Sequence, residues 1–206
     1  MIKINRFLVE SKVCIITGGA GLIGRKHAEA VLEGKGIPVL LDISMQALEK
    51  AKEDLLKSYP DMNVEIFVTD ITNRAELERV KDILIDKYGH IDILINNAAN
   101  NPKVEGGSKN LGATSFTNFP IDIWNADIAV GLGGAMLCSQ VFGEIMEQQK
   151  GGVILNIGSD YGIIAPDQRI YRKDGIPEEE QVIKPISYSV VKHGLIGMTK
   201  YLAAYW

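Results

Sequence analysis

The sequence predicts an α/β fold with a parallel sheet covered by helices on both faces, and three observations carry the prediction. Short runs rich in Val, Ile and Leu alternate with longer segments of helical period, the pattern of repeated strand–helix–strand units. The stretches that break this rhythm, 97–120 and 159–185, are rich in Gly, Asn, Pro and charge. Each follows a strand at its carboxyl end, where open α/β sheets form their ligand crevice. A chain of 206 residues with 46% apolar content is also large enough to bury a core without disulfides or metal clips.

Taken in order, strands are expected at Lys12–Thr17, Ile37–Asp42, Asn63–Thr69, Ile91–Asn96 and Val153–Gly158. Helices are expected at about 22–34, 45–58, 73–88 and 121–149, with a last one beginning near Ile186 and still running at Trp206. No repeat, low-complexity tract or shift of composition marks a second domain, so one domain over 1–206 is expected.

The net charge is −4, with Lys and Arg scattered among Asp and Glu, which argues against nucleic acid as a partner. The opening MIKINRFLVESKVCIITGG has short apolar runs broken by Glu10, Lys12 and Thr17 and lacks the apolar middle of a secretion signal. No window approaches the ~18 uninterrupted apolar residues of a membrane span. A soluble cytoplasmic protein without membrane contact is therefore the expectation. Cys14 and Cys138 stand apart from any CxxC or Cys/His cluster and read as small buried hydrophobes. His27, His90 and His193 lie far apart with no HxxxH spacing, so no metal site is expected.

The chemistry begins at Thr17-Gly-Gly-Ala-Gly-Leu-Ile-Gly24, which contains Gly19-x-Gly21-x-x-Gly24 directly after the first strand and opens the first helix. Glycines there permit positive φ and let backbone N–H groups approach a pyrophosphate, whose charge the positive end of the helix favours. Asp42 ends the second strand 18 residues after Gly24, near the ~20-residue offset at which an acidic side chain meets the adenosine ribose. A carboxylate accepts from a free 2′-hydroxyl and repels a 2′-phosphate, so NAD(H) is expected over NADP(H). Arg25 and Lys26 are the counter-argument, and a helix-capping role beside Ser44 is the other reading of Asp42.

Tyr188-Ser-Val-Val-Lys192 places a phenol and an ammonium four residues apart, stacked on one helix face. A phenol is a poor base at neutral pH, and a fixed positive charge nearby favours its ionised form and improves proton transfer. Val153–Ser159 reads as a buried strand ending in a hydroxyl. Ser159 either polarises a carbonyl or caps the following turn.

TGGAGLIG, Asp42, Thr69-Asp70-Ile71, Asn96-Asn-Ala-Ala99, Ile157-Gly-Ser159 and YSVVK, in this order over residues 12 to 206, resemble the motif set of the short-chain dehydrogenase/reductase family. The resemblance implies a doubly wound sheet of Rossmann-type dinucleotide-binding topology. It implies that Tyr188 is the acid/base, that Lys192 lowers its pKa and holds the nicotinamide ribose, and that Ser159 orients the substrate carbonyl or alcohol. Cofactor contacts would come from Gly18, Gly19, Gly21, Leu22, Ile23 and Gly24 in the loop, and from Asp42 and Ile43 after the second strand. Asp70 and Ile71 would flank the adenine, with Asn97, Ala98 and Ala99 along the cofactor floor. The implied reaction is reversible hydride transfer between a nicotinamide and a carbon bearing oxygen, in a homodimer or homotetramer.

Three features depart from the family's pattern. An Asn often stands in a Trp…Val-Asn-Leu…Gly context, whereas here Trp124…Val130-Gly131-Leu132 has glycine. Gly131 cannot complete a proton relay to Lys192, so water, Asn125 or Asn156 substitutes, or turnover is slow. Gly131, Gly133 and Gly134 also weaken a helix by about 1 kcal/mol each relative to Ala, unless close packing near the site requires them. The glycine spacing resembles the longer, sugar-nucleotide-modifying branch of the family. Tyr188 follows Ser159 by 29 residues, and the inserted segment between Pro166 and Pro185 can meet a polar substrate through Arg169, Tyr171 or Arg172. In this it resembles dehydrogenases of surface-polysaccharide or flagellin glycan synthesis.

The chain stops without a glycine or proline to end its last helix, and is expected to be a piece cut within the helix of Tyr188 and Lys192. Such a piece would leave its fifth strand unpaired and helix surface open, and would be catalytically weak. The leading expectation is an NAD(H)-dependent oxidoreductase acting on an alcohol or carbonyl of a polar small molecule such as a sugar or sugar nucleotide. A nucleotide-sugar epimerase or dehydratase using bound NAD, and a non-catalytic NAD(H)-binding module, are the alternatives.

Overall fold

The computed structural model describes residues 8–100, 115–177 and 181–206, so 101–114 of the first irregular stretch and 178–180 of the second lie outside the described residues. The chain divides into two compact units, Met1–Ala98 with Gly134–Ile157, and Ala99–Gly133 with Gly158–Trp206.

The first unit carries β1 (Val13–Thr17), α1 (Leu22–Glu33), β2 (Ile37–Asp42), α2 (Met45–Ser58), β3 (Glu65–Val68), α3 (Arg74–Tyr88) and β4 (Ile93–Asn96). After the segment that belongs to the second unit it resumes with α5 (Ala135–Gln148) and β5 (Val153–Asn156). All strand pairs are parallel, in the order β3-β2-β1-β4-β5, with Ile16 opposite Leu40 and Ile95. This is the expected Rossmann-type order. Continuous apolar strands serve because both faces are buried: Cys14, Ile16 and Leu40 pack with Ala28, Val31 and Leu32 of α1 and Leu48, Ala51 and Leu55 of α2. Val13, Ile15, Val39 and Leu41, also fully buried, alternate to the opposite face. α3 and α5 pack on one another, and α5 on β4 and β5. Burial pushes the thiols of Cys14 and Cys138 up to about 12, as fits the apolar role expected of them.

Helix starts follow local chemistry. Ser44 caps α2 by accepting from the Ala47 N–H, and Asn73 caps α3 by accepting from the Ala75 N–H. Gly89, at φ 78°, ends α3 in the left-handed region.

The second unit carries α4 (Ile121–Ile128) and α6 (Ile186–Tyr205), with single 3₁₀ turns at Phe116–Asn118, Asp160–Gly162 and Gln168–Tyr171. The one helix expected over 121–149 is thus two, because Ala129–Gly134 winds as a π turn at its three glycines. The span Ile121–Gln148 reaches the length and mean hydropathy, 1.5, of a membrane-crossing helix, although Asp122, Asp127, Glu144 and Glu147 interrupt its apolar run. The apolar side chains of α5, from Ala135 to Met146, are taken up by the core of the first unit.

Candidate active site

The glycine loop lies in the first unit, between β1 and α1. Thr17 anchors it: its hydroxyl accepts from the N–H groups of Asn97 and Ala98, both at 3.0 Å, and donates to the Ile95 carbonyl. The Asn97 amide donates to the carbonyls of Thr17 and Gly18 at 2.9 and 3.2 Å. The loop after β4 is thereby tied to the loop after β1, at the point where the strand order reverses and ligands bind in such sheets. Asn97, expected on a cofactor floor, directs its amide to the carbonyls of the glycine loop.

Gly18 takes φ 61°, and a Cβ there would fall 3.0 Å from Ala98 Cα. A Cβ on Gly24 would strike the Gly18 carbonyl and the Gly19 backbone. The N-cap of α1, Gly21, offers no side chain to the first turn, and no acidic residue lies there. Leu22 and Ile23 are exposed. The first turn of α1 therefore has neither a capping side chain nor an acid to satisfy its N–H groups, which is what a pyrophosphate requires. The residues present fit a dinucleotide.

Asp42, at the end of β2, accepts from the Ala20 N–H at 3.2 Å, so its carboxylate turns toward the glycine loop, while Ser44 does the capping. Arg25 reaches Asp54 at 3.6 Å, and Lys26 reaches Glu29 at 2.6 Å, so both basic residues answer to neighbouring acids. Ile43 is exposed. Asp70 accepts from the backbone and hydroxyl of Thr72, forming the turn into α3. Ile71 is buried and packs where a Cβ on Gly134 would come within 2.5 Å of it.

The second unit carries the phenol. Tyr188 and Lys192 stand one turn apart on α6, with Lys192 Nζ 5.7 Å from the Tyr188 ring centroid. Lys192 is only 5% exposed, and its ammonium is held below the usual lysine range by burial first and then by the charge of Lys184. Lys184 Nζ is closer still, 3.8 Å above the same ring. Tyr161 meets that ring edge-on at 6.3 Å and shares a hydrogen bond with Tyr171. The Tyr171 hydroxyl is pushed up to about 12, by burial and then by Tyr161. Arg169 is held by Asp167 at 2.7 Å.

Ser159 accepts from the Tyr161 N–H at 3.2 Å and donates to Asp160 at 2.8 Å, so the capping role is realised here. A cavity of about 10 Å³ is lined by Asp127, Ser187, Tyr188, Lys192, Gly131, Val191, Asn100 and the exposed Ala99. It is on the scale of a single water. Ser187 donates to the Asp127 carboxylate at 2.5 Å, both being buried. Asn125 is exposed, Asn156 accepts from Asn96, and the polar groups that line the cavity with Lys192 include Asp127, Ser187 and Asn100. Gly131 is required by packing: a Cβ there would stand 2.5 Å from Val191 Cγ1.

Asp127 and Lys184 carry no signal in the sequence. Asp127 precedes Gly131 by one turn, but only the packing of α4 on α6 brings its carboxylate to Ser187 and into the cavity that Lys192 also lines. Lys184 precedes a proline, so no helical spacing relates it to Tyr188.

A parallel sheet of this order, a side-chain-free helix start after its first strand and a buried lysine one turn beyond a tyrosine together define a dinucleotide-binding oxidoreductase type of chain. The sequence profile of the short chain dehydrogenases matches residues 12–171. The chain belongs to that family. It is 26% identical over 196 residues to post-translational flagellin modification protein A of Campylobacter coli, covering 95% of this chain and 72% of that one. The crystal structure of levodione reductase superposes with a TM-score of 0.77 at 25% identity, covering 96% of this chain and 67% of that one. NAD⁺-bound xylitol dehydrogenase gives 0.76 at 25% identity, covering 97% and 65%. The chain thus spans about two thirds of the length of these relatives.

Proposed function

We propose that this chain is the larger part of an NAD(H)-dependent oxidoreductase that interconverts an alcohol and a carbonyl on a polar small molecule. The observation that carries the reading is Lys192, buried and 5.7 Å from the Tyr188 ring, on the helix face expected from their spacing. Burying an ammonium is costly, and a merely structural lysine gains little from it. A fixed cation there favours negative charge on the phenol oxygen when a proton leaves it. The names of similar proteins, levodione reductase and xylitol dehydrogenase among them, support the same reaction class.

Bound NAD(H) would supply the hydride acceptor or donor. The N–H groups at the start of α1 would hold its pyrophosphate, Asp42 its adenosine ribose, Ile43, Asp70 and Ile71 its adenine side, and Asn97, Ala98 and Ala99 its further course. Tyr188 passes a proton to the substrate oxygen in reduction and takes one from the hydroxyl in oxidation. Ser159 donates to that oxygen after releasing Asp160. Proton return to Lys192 runs through the water-sized cavity, with Asp127 and Asn100 in place of the absent Asn side chain. The preference for NAD(H) over NADP(H) in this reading is supported by the Asp42 carboxylate at the end of β2, which would repel a 2′-phosphate, and by Arg25 and Lys26 lying against neighbouring acids.

Calorimetric titration of the chain with NADH and NADPH tests the cofactor half of the reading. NADH is expected to bind, with NADPH roughly tenfold or more weaker, and Asp42→Ala is expected to erase that difference. Equal affinities in the parent chain, or no binding by a folded chain, would sink the assignment.

A further inference from the structure

We infer that the second unit contains a ligand cavity apart from Tyr188, which takes a small ring-bearing alcohol or ketone whose single oxygen meets the Ser189 hydroxyl. The inference goes beyond the oxidoreductase reading and does not depend on it.

The cavity has a volume of about 320 Å³ and is lined by Ala165, Pro166 and Gln168 of one stretch, by residues 183–186 of another, and by Phe116 and Ser189. Ser159, Tyr188 and Lys192 are not among the described residues that line it. It is thus separate from the water-sized cavity that Tyr188 and Lys192 share.

Its two main walls are tied together without any ligand. The Gln168 side chain accepts from the Lys184 backbone N–H at 2.8 Å and donates to the Lys184 carbonyl at 3.3 Å, a reciprocal clasp across 16 residues. Pro166 and Pro185, one in each wall, fix the backbone further. A cavity shaped in advance loses little conformational freedom when it is filled.

The polar groups of the lining are few. Gln168 engages the Lys184 backbone, and Lys184 carries its ammonium over the Tyr188 ring, 3.8 Å from the centroid. Ser189 is different. A serine within a helix commonly donates to the carbonyl four residues earlier, here that of Pro185, yet the Ser189 hydroxyl is buried with no hydrogen-bond partner among the described residues. Rotation about its Cα–Cβ bond carries the hydroxyl between staggered positions. A ligand oxygen in the cavity then gives it the partner it lacks.

The remaining lining is apolar, and Phe116 is 73% exposed. A ring laid against Phe116 removes apolar surface from water on both partners. The volume is at the lower end of small-molecule sites, enough for one ring and its substituent. A polyol fits this chemistry poorly, because its further hydroxyls would be desolvated against apolar walls without partners.

Titration of the isotope-labelled chain with benzyl alcohol, toluene and glycerol, followed by NMR, tests the site. Benzyl alcohol is expected to shift the amide signals of Gln168, Ile183 and Ser189 saturably. Toluene is expected to bind at the same place about three- to tenfold more weakly for want of the hydrogen bond, and glycerol to leave these signals unmoved. Ser189→Ala is expected to bring benzyl alcohol down to the affinity of toluene and to leave toluene unchanged. Ala165 lines the cavity yet is exposed, so Ala165→Trp is expected to fold and, by filling the space, to abolish binding of both. Absence of saturable shifts at these residues would overturn the inference, as would glycerol binding as tightly as benzyl alcohol, or an affinity for benzyl alcohol unchanged in either variant. The NADH titration bears on the oxidoreductase reading alone, so the two can fail separately.

Discussion

The two units solve different problems. In the first, the candidate cofactor contacts sit at the carboxyl ends of parallel strands or in the turn after them, and most are held by backbone: Thr17 by Asn97 and Ala98, Asp42 by Ala20. In the second, the candidate catalytic groups sit on α6 and in irregular segments, and are held by side chains: Ser187 on Asp127, Tyr161 on Tyr188, Gln168 on Lys184. A dinucleotide grip is a matter of backbone shape and recurs with the fold. A substrate site is a matter of particular side chains, and this one departs from its family at Gly131 and in the inserted segment.

The sharpest way to separate the two is Tyr188→Phe. Turnover is expected to fall by roughly 10²–10⁴-fold, the contribution of a positioned proton-transfer group, while NADH affinity stays within a few-fold. Equal loss of both would mean that the units do not divide the work as described. Gly24→Val is the converse: the added side chain meets the Gly18 carbonyl, and about 1–3 kcal/mol of stability and most NADH binding are expected to be lost.

Gly131→Ala asks whether glycine there is a packing requirement. Alanine gains helix propensity but drives its Cβ into Val191, a β-branched side chain on a helix that turns aside poorly. A net loss of about 1–2 kcal/mol is expected, recovered in Gly131→Ala with Val191→Ala. Melting curves for the cycle would show additivity if the contact is unimportant.

The smallest effect concerns acid. Burial holds the His27 imidazole of α1 below its ordinary pKa, and its Nε2 has no partner among the described residues. Below about pH 6.5 the unfolded chain takes up a proton that the folded chain resists. The stability associated with neutral His27 is present above that pH and lost as pH falls. His27→Leu is expected to flatten the acid limb of the first unit's denaturation, and an unchanged limb would assign acid sensitivity elsewhere.

Most of the first unit was legible because its rules are local. Apolar runs with a period of two or of 3.6, glycine after a strand, and Ser44 or Asn73 before a helix each act within a few residues. Some assignments were legible only as alternatives. Ser159 by itself read sooner as a cap than as a carbonyl donor, and it does accept from the Tyr161 N–H at the turn that follows. Asp42 read as a ribose acceptor or a cap, and the cap is Ser44. The uniform helix over 121–149 is interrupted by a π turn at three glycines, read as weak helix formers, of which Gly131 also answers to Val191 and Gly134 to Ile71.

The sequence by itself determined the fold class, the phosphate-type loop and the Tyr188–Lys192 spacing, since each depends on periodicity and spacing along the chain, whereas the order β3-β2-β1-β4-β5 is a tertiary fact. Only the tertiary structure decided that Asp127 pairs with Ser187 in the cavity that Gly131 and Lys192 also line, that a Cβ at residue 131 would meet Val191, and that Lys184 lies over Tyr188. Those relations join residues far apart in the chain whose meeting is set by packing, and packing leaves no periodic trace in sequence.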